Sequence, residues 1–363
     1  MKIGILTYHR TLNYGACLQS IATRVLLERM GHDAYYVDYW PEYHKRMYNV
    51  VNWYNFVHGS LFGNIKYLLR LAKCYSTRKT KRNQWQAFVD KAIVPYCRPV
   101  DETYDVVLYG SDQIWRKQKA LNGNYNEVYF GKNEIPTKAH VAFSASMGQL
   151  PSTDKDKKTL KELFCNFDAI SVRESNLRLL LLELGYEEAI QTLDPTLLID
   201  QNLWNKTIPT PVYTGSKYVL YFPLRGGFRK DDVMAFAKEK GLDFKELRPY
   251  TPGIDVGKEK YVGTPEDFLY LIKNAEYVFT SSFHGLAFSI IYGKQVFASF
   301  NRNGERAISL LSILGIQDHY VNNKTSLLNI KDIDYNKVNP ILTDLQKGTL
   351  DFLSNLKVRK NVK

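Results

Sequence analysis

The sequence predicts an α/β protein of two domains, each built on a parallel sheet, and three observations support this prediction. The chain has 363 residues, more than a single hydrophobic core usually fills. Strand-like and helix-like segments alternate along it, which is typical of βαβ units and hence of parallel sheets. Residues 206–216 are rich in proline, threonine and glycine, as linkers between domains often are.

The composition excludes several classes of protein. Hydrophobic residues make up 45% of the chain and charged residues 24%, which indicates a folded globular protein rather than extended disorder. The longest apolar stretches are strand-sized, whereas a membrane-spanning helix needs about 18 apolar residues. The N-terminus leads directly into a strand instead of a cleavable apolar leader, so we expect a cytoplasmic protein.

The charge and the cysteines limit the expected partners. The formal net charge of +12 favours anionic partners such as phosphates, anionic lipid or nucleic acid, or simply aids solubility. Because no helix-turn-helix or RNP-like pattern accompanies the charge, nucleic acid is not an expected partner. The 4 cysteines form no C-x-x-C pair, and the sequence contains no cluster of metal ligands at the usual spacing. We therefore expect reduced thiols and no metal.

The first domain is predicted to span residues 1–205. Residues 2–8 are β-rich, residues 16–30 have apolar positions at helical spacing, and an extended pattern resumes at 34–39, which together indicate a βαβ unit. Further strands, each followed by small or polar residues, are predicted at 105–109, 139–145 and 169–172. Because ligands of open α/β sheets bind beyond the carboxyl ends of the strands, we expect the functional site at these junctions.

The second domain is predicted to span residues 206–325, followed by a helical tail at 326–363. The same alternation is seen there, with strands at 217–222 and 277–280 and helices at 231–240 and 285–292. A terminal helix is predicted at 341–358. The two domains are therefore expected to be Rossmann-like and to face one another across a cleft.

Residues 50–82 are predicted to form a helical insertion in the first domain. Aromatic and aliphatic side chains lie there beside a run of lysines and arginines. Such a segment can lie on a membrane surface, which would place the protein at the inner face of the membrane. It is equally typical of a helix pair that caps a domain and leaves a basic turn in solvent.

The most informative segment is 280–289, in which an apolar strand leads into a helix through small hydroxyl residues and a histidine. Unpaired N–H groups at a helix start attract anions, so Ser281, Ser282 and the amide of Gly285 are candidate ligands for phosphate or carboxylate oxygens. His284 can exchange a proton near neutral pH. The simpler interpretation is a structural histidine beside an N-cap serine.

Four other strand ends carry candidate residues. Asn13 and Gly15 follow the first strand, where glycine lets the backbone approach a ligand and asparagine can donate and accept. Asp112 could orient or deprotonate a hydroxyl, although both it and Asn13 would also serve as helix caps. Arg173 and Arg225 carry guanidinium forks that suit a carboxylate or phosphate. Neither a G-x-G-x-x-G fingerprint nor a P-loop is present, so NAD and ATP chemistry are not expected.

Five segments, taken in order, resemble the polysaccharide pyruvyl transferase family. They are Asn13-Tyr-Gly-Ala, Gly110-Ser-Asp-Gln-Ile-Trp115, Ser171-Val-Arg-Glu174, Asp194-Pro-Thr-Leu-Leu198 and Ser282-Phe-His-Gly-Leu-Ala-Phe288. The resemblance implies a fold similar to the two-domain GT-B glycosyltransferases. It also implies transfer of a pyruvyl group from phosphoenolpyruvate to sugar hydroxyls, forming a ketal on a precursor of a capsule, exopolysaccharide or cell-wall glycan.

The sequence departs from the family at two positions. Many members carry an arginine where this chain has Ser282, and an acidic residue where it has Ala16. The first departure removes a positive charge that the donor would contact. We expect Arg225 or Arg173 to supply that charge.

The resemblance implies a role for each candidate residue. His284 aligns with the family histidine and is the expected general acid, and Asp112 is the candidate base. Arg173, Arg225 and the amides near residues 281–285 would bind the anionic donor. The reaction would need no metal and no cofactor besides its donor substrate, and its acceptor would be a free or lipid-linked saccharide. Two alternatives are a GT-B glycosyltransferase with a nucleotide-sugar donor and a non-catalytic glycan- or nucleic-acid-binding protein.

Overall fold

The computed structural model describes residues 1–47, 49, 60–224, 226–248, 263–301, 304–321 and 327–356. These residues form two α/β units: the first unit holds a sheet of 7 strands and the second unit a sheet of 4. Both sheets are parallel. The predicted fold class is therefore confirmed.

The sheet of the first unit is built from short strands. They are β1 (Lys2–Leu6), β2 (Asp33–Val37), β3 (Cys97–Arg98), β4 (Val106–Tyr109), β5 (His140–Ala145), β6 (Ala169–Val172) and β7 (Ile190–Gln191). Their order in the sheet is β3-β2-β1-β4-β5-β6-β7. The predicted strands coincide with β1, β2, β4, β5 and β6, whereas β3 and β7 have 2 residues each and are too short to give a sequence pattern.

The helices of the first unit connect these strands. They are α1 (Tyr14–Arg29), α2 (Glu42–Met47), α3 (Leu61–Ala92), α4 (Asp154–Phe164), α5 (Ser175–Glu183) and α6 (Gln201–Thr207). Helix α1 begins two residues earlier than predicted because Asn13 caps it: the Asn13 side chain accepts hydrogen bonds from the amides of Gly15 and Ala16 at 3.0 and 3.2 Å.

The predicted insertion at 50–82 lies partly outside the described residues, and its described part belongs to α3. This helix has 32 residues and continues beyond the predicted end at residue 82, because its C-terminal part packs on the core through buried Trp85, Phe88 and Val89. Its N-terminal part exposes apolar side chains, with Leu61 80% and Phe62 78% exposed. None of the described helices has an apolar stretch long enough to cross a membrane.

The second unit has the same organisation. Its strands are β8 (Tyr218–Phe222), β9 (Asp243–Glu246), β10 (Tyr277–Thr280) and β11 (Gln295–Ala298), in the order β11-β10-β8-β9. Its helices are α7 (Lys230–Glu239), α8 (Pro265–Asn274), α9 (Phe283–Ile291), α10 (Glu305–Ile313) and α11 (Tyr335–Ser354). Strands β8 and β10 and helices α7, α9 and α11 match predicted elements, whereas β9, β11, α8 and α10 were not predicted.

One hydrophobic core extends through both units. Tyr14 of α1 stacks on Phe268 of α8, with ring centroids 4.9 Å apart, and its hydroxyl donates to the carbonyl of Gly263 at 2.8 Å. Helix α11 returns to the first unit, where the Thr349 hydroxyl accepts a hydrogen bond from the amide of Leu193 at 3.0 Å. The predicted domain limits at 1–205, 206–325 and 326–363 stay a prediction.

Candidate active site

The carboxyl ends of strands from both sheets meet at the junction of the two units. Arg173 directly follows β6, Asp194 lies three residues after β7, and His284 lies in the first turn of α9, directly beyond β10. The three side chains are in contact. The structure therefore brings Arg173 and His284, which the sequence places 111 residues apart, into one cluster at the strand ends.

Asp194 is at the centre of this cluster, and its side chain is fully buried. Its Oδ1 accepts hydrogen bonds from the amide and the hydroxyl of Thr196 at 2.9 and 2.7 Å. Its Oδ2 accepts a hydrogen bond from Nη1 of Arg173 and lies 3.4 Å from Nε2 of His284. Burial alone would raise the pKa of the Asp194 carboxyl, but Arg173 and His284 outweigh it and hold that pKa below its ordinary value. The group is therefore a buried carboxylate.

The imidazole of His284 lies between the two units, and its side chain is only 8% exposed. One face of the cluster is formed by Gly15 of α1: a Cβ atom on that residue would be 1.9 Å from Nδ1 of His284. Any side chain at position 15 would displace the ring. Gly15 is thus required for the close approach of α1 to α9. The sequence suggested that this glycine lets the backbone approach a ligand, and in the structure it lets the backbone approach the His284 ring.

Two guanidinium groups lie beside the ring of Phe283, the residue before His284. The Cζ atoms of Arg173 and Arg306 are 5.4 and 5.1 Å from the centroid of the Phe283 ring. Among the described residues, Nε and Nη2 of Arg173 and Nε of Arg306 are buried without a hydrogen-bond partner. Burial lowers the pKa of Arg306, and the positive charge of Arg173 lowers it further. This arginine pair, Arg173 and Arg306, therefore offers unsatisfied donors to an anion.

A second carboxyl group, that of Glu174, faces the arginine pair. Ser146, which directly follows β5, donates a hydrogen bond from its hydroxyl to Oε1 of Glu174, and Nε of Arg306 lies 3.9 Å from the same oxygen. Burial raises the pKa of Glu174, while Arg173 and Arg306 act in the opposite direction. The cluster thus combines a carboxylate, that of Asp194, with a carboxyl group that is harder to ionise.

The candidate base Asp112 lies three residues after β4 and is partly buried. Its Oδ1 accepts a hydrogen bond from the amide of Gln113 at 2.7 Å. Its charge acts on Arg306, since the Asp112, Glu174 and Asp194 carboxylates all oppose the lowering of the Arg306 pKa. A cavity of about 340 Å³ opens next to it, lined by Gln113, Arg116, Lys117, Tyr125, residues 147–152 and Asp156.

The remaining candidates at the helix starts have capping roles. The Ser282 hydroxyl accepts a hydrogen bond from the amide of Gly285 at 3.3 Å, so that this amide is already paired. The Ser281 hydroxyl accepts a hydrogen bond from the amide of Leu224 at 2.8 Å and so holds the loop after β8. Asn13 caps α1 as described above. The contacts of Ser282 and Asn13 are therefore those of helix N-caps, the simpler interpretation that the sequence left open.

Comparison with known proteins decides the family. The sequence pattern of the family described as polysaccharide pyruvyl transferase matches residues 13–302, most of the chain. The chain belongs to the polysaccharide pyruvyl transferase family. The resemblance carried by the five segments is thereby confirmed. A search of the curated proteins finds no match.

Several solved structures are similar in fold to this pyruvyl transferase family member. UDP-GlcNAc 2-epimerase of Methanocaldococcus jannaschii, in complex with UDP-GlcNAc and UDP, is 13% identical and covers 96% of this chain and 100% of its own, with a TM-score of 0.42. The S. aureus MnaA-UDP co-structure is 12% identical and covers 99% of this chain and 98% of its own, with a TM-score of 0.47. E. coli heptosyltransferase WaaC with ADP is 10% identical and covers 95% of this chain and 100% of its own, with a TM-score of 0.38. Likenesses at this level carry no inference about activity.

The positive charge that many pyruvyl transferases carry at the position of Ser282 has two candidate replacements in the sequence. Arg173 lies in the cluster, 5.4 Å from the ring of Phe283, the residue after Ser282. Arg225 lies outside the described residues. Gly226 and Gly227 of the same loop pack against Asn301, whose Oδ1 accepts a hydrogen bond from the amide of Gly227 at 3.2 Å.

Three members of the cluster were not among the predicted site residues of this pyruvyl transferase family member. Asp194 and Glu174 lie in segments that carry the family resemblance, but each reads from the sequence as a charged strand end without a partner. Arg306 follows β11, and no strand was predicted there. The sequence signal for Arg306 is its position at the start of α10, a helix that follows a strand. This signal depends on β11, which the sequence pattern did not predict.

Proposed function

We propose that the chain transfers the pyruvyl group of phosphoenolpyruvate to two hydroxyls of one saccharide, forming a ketal and releasing phosphate. Family membership supports pyruvyl transfer to a polysaccharide. The observation that carries the choice of donor is the arginine pair, whose buried N–H groups without partners among the described residues lie next to His284. The choice of phosphoenolpyruvate as donor rests on this arginine pair together with family membership.

The arginine pair fits the donor because phosphoenolpyruvate carries a carboxylate and a phosphate. A guanidinium group binds either anion through two parallel hydrogen bonds. Burial lowers the pKa of Arg306, and repulsion by the positive charge of Arg173 lowers it further. A multiply charged anion would relieve this repulsion, and burial of the site would strengthen each contact.

His284 supplies the proton in the proposed mechanism. Its Nε2 faces Oδ2 of Asp194 at 3.4 Å, so we assign the proton transfer to Nδ1, which lies beside Gly15 of α1. Protonation of the methylene carbon of phosphoenolpyruvate turns the double bond into a methyl group and makes the central carbon an electrophile. The carboxylate of Asp194 stabilises the imidazolium before the transfer and orients the ring throughout.

The two sugar hydroxyls complete the reaction. The first adds to the central carbon, the bond from that carbon to the phosphate oxygen breaks, and the second hydroxyl adds in its place. Two hydroxyl protons are released, of which one replaces the proton given by the imidazole and the other leaves with phosphate. We assign the acceptance of a hydroxyl proton to Asp112, because its charge acts on Arg306 and its neighbour Gln113 lines the cavity. We assign this cavity to the saccharide acceptor.

A lipid-linked acceptor would explain the exposed face of α3. Leu61, Phe62 and Leu69 are 80%, 78% and 62% exposed, and Lys79 and Arg82 follow on the same helix. Apolar side chains beside basic ones suit an anionic membrane surface. We expect the chain to float with vesicles that contain anionic phospholipid. Replacement of the three apolar residues by serine should abolish flotation, whereas the same change at exposed Val212 and Leu179 should not. Equal recovery of all variants would contradict membrane contact.

Release of the leaving group tests the proposed reaction directly. The purified chain is incubated with a saccharide acceptor extract and either phosphoenolpyruvate or a nucleotide sugar. We expect inorganic phosphate to form only when phosphoenolpyruvate and acceptor are both present. His284→Gln should lose this release, and His32→Gln, a histidine in the turn after α1, should retain it. Release of nucleoside diphosphate from the nucleotide sugar would instead establish a glycosyltransferase, and ligand binding without turnover would establish a binding protein.

A further inference from the structure

Three side chains that can bind a metal meet at one end of the first sheet. His9 follows β1, Asp38 directly follows β2, and Cys97 begins β3, and these three strands are neighbours. One ligand atom from each residue lies within 4.8 Å of the other two. Strand β2 lies four strands from β6, roughly 19 Å at the usual strand spacing. This cluster is therefore separate from the candidate active site and independent of the proposed function.

The orientation of His9 leaves one nitrogen without a partner. The side chain is 1% exposed, and Nδ1 lies 3.0 Å from the carbonyl oxygen of Thr7. Because a carbonyl can only accept, Nδ1 carries the hydrogen and the neutral ring presents a lone pair at Nε2. This Nε2 is buried and has no hydrogen-bond partner among the described residues. It faces Oδ1 of Asp38 at 3.9 Å, too far for a hydrogen bond.

The buried lone pair at Nε2 of His9 and the charged Oδ1 of the partly exposed Asp38 side chain repel one another unless a cation lies between them. The other contacts of the cluster hold its members in this orientation. Nη2 of Arg10 donates a hydrogen bond to Oδ2 of Asp38 at 2.8 Å, which leaves Oδ1 for His9. The Cys97 thiol donates to the carbonyl of Ile93 at 3.6 Å. Metal ligands are commonly fixed by such outer contacts, and a ligating imidazole often donates its other N–H to a backbone carbonyl.

We propose that Nε2 of His9, Oδ1 of Asp38 and Sγ of Cys97 bind a zinc ion. An imidazole, a carboxylate and a thiolate form a ligand set that zinc prefers. In a tetrahedral zinc site the ligand atoms are roughly 3.4 Å apart, so each atom moves by less than about 1 Å. Binding forms the bond from zinc to sulfur and releases the thiol proton to solvent.

The surroundings of the cluster suit a site with three protein ligands and a fourth position open to water. The side chain of Asp38 is 37% exposed, which gives the ion a path from solvent and leaves room for a water ligand. The negative charges of Asp38 and of the Cys97 thiolate would balance the two positive charges of the ion. The bound ion would join β3, a strand of 2 residues, to β1 and β2.

Metal content and cobalt spectroscopy test this proposal on the untagged full-length chain. After incubation with zinc and removal of loosely bound ions, we expect about one zinc ion per chain by mass spectrometry. Cobalt in place of zinc should give the charge-transfer absorbance of a thiolate ligand. A wild-type chain that retains no zinc and shows no thiolate absorbance would overturn the proposal, and this measurement needs no variant to fold.

Substitutions identify the ligands. Cys97→Ser should abolish the thiolate absorbance and Asp38→Asn should weaken cobalt binding. Cys165→Ser is the matched control, since the Cys165 thiol also donates to a backbone carbonyl of its own turn, and it should leave the spectrum unchanged. Absorbance that survives in folded Cys97→Ser would overturn the proposal. The alternative cation between His9 and Asp38 is a proton on Nε2 of His9. In that case neither the wild type nor any variant will bind cobalt through sulfur, and the proposal is also overturned.

Discussion

Nε2 of His284 lies 3.4 Å from Oδ2 of Asp194, and this contact joins the first turn of a helix in one unit to a strand end in the other. Arg173 binds the same carboxylate oxygen. The proposed general acid, His284, and the proposed anion-binding residue, Arg173, are thus held by one buried carboxylate. Any change at Asp194 is expected to act on both.

Asp194→Asn should destabilise the protein by about 3–5 kcal/mol, because it leaves the buried charge of Arg173 without its counterion. The pKa of Asp194 is held below its ordinary value of 3.8, so its contribution is present above that pH and is lost as the pH falls below it. Melting temperatures of variant and wild type should therefore differ at neutral pH and converge in acid. Asp200→Asn, at the exposed N-cap of α6, should change stability little, because asparagine and aspartate cap a helix about equally well. Equal losses for the two variants would contradict this account.

Gly15→Ala should strongly reduce turnover while the chain still folds. The new methyl group would lie 1.9 Å from Nδ1 of His284, so the ring or α1 must move, and a displacement of about 1 Å at a catalytic group typically costs 100-fold in rate. Gly348→Ala is the matched control, since a Cβ at that helical position of α11 meets no atom and the change should stabilise the helix by up to about 1 kcal/mol. Full activity of Gly15→Ala would show that the position of the ring is not critical.

Arg306→Ala should raise the Michaelis constant for phosphoenolpyruvate by roughly 10- to 100-fold, the usual effect of losing a charge-assisted hydrogen bond. Arg306→Lys keeps the charge but loses the fork and should fall in between. Steady-state kinetics at saturating acceptor measure both, with exposed Arg29→Ala as the control. An unchanged constant in Arg306→Ala would remove this residue from the donor site, and the same experiment on Arg173 and Arg225 decides their predicted roles.

Glu174→Gln should change how stability depends on pH. Burial raises the pKa of Glu174 above its ordinary value of 4.5, so the folded protein binds this proton more tightly than the unfolded chain does. Wild-type stability should therefore fall as the pH rises from 4.5 through the folded pKa. The glutamine variant lacks this decline and still accepts the hydrogen bond from Ser146. Melting temperatures from pH 4 to 8 measure the difference, and Glu239→Gln on the surface should follow the wild type. Parallel curves for all three proteins would contradict the raised pKa.

Much of the fold could be predicted from local patterns. The buried strands β1, β4, β5, β6, β8 and β10 are continuous apolar runs that end in polar residues, which is the pattern of parallel strands. The edge strand β9 is polar, with the sequence Asp-Phe-Lys-Glu, and strands β3 and β7 are too short for any period. The end of helix α3 was placed too early, at residue 82, because basic residues occupy its exposed middle part, where periodicity is weak.

The candidate site could be predicted only in part, because its members come from distant strand ends. His284 and Arg173 have residue types and positions that indicate chemistry on their own. Asp194 and Arg306 acquire their significance from the packing of one unit on the other, and no local pattern encodes that packing. The same holds for His9, Asp38 and Cys97, which are too far apart in the sequence to form a recognisable metal motif.

A crystal structure of the wild-type protein with phosphoenolpyruvate tests the central claim most directly. We expect carboxylate or phosphate oxygens within hydrogen-bond distance, about 3 Å, of Nη2 of Arg173 and Nε of Arg306, with the methylene carbon facing His284. Phosphoenolpyruvate bound elsewhere, with both guanidinium groups left unpaired, would contradict the assignment of this cluster as the donor site.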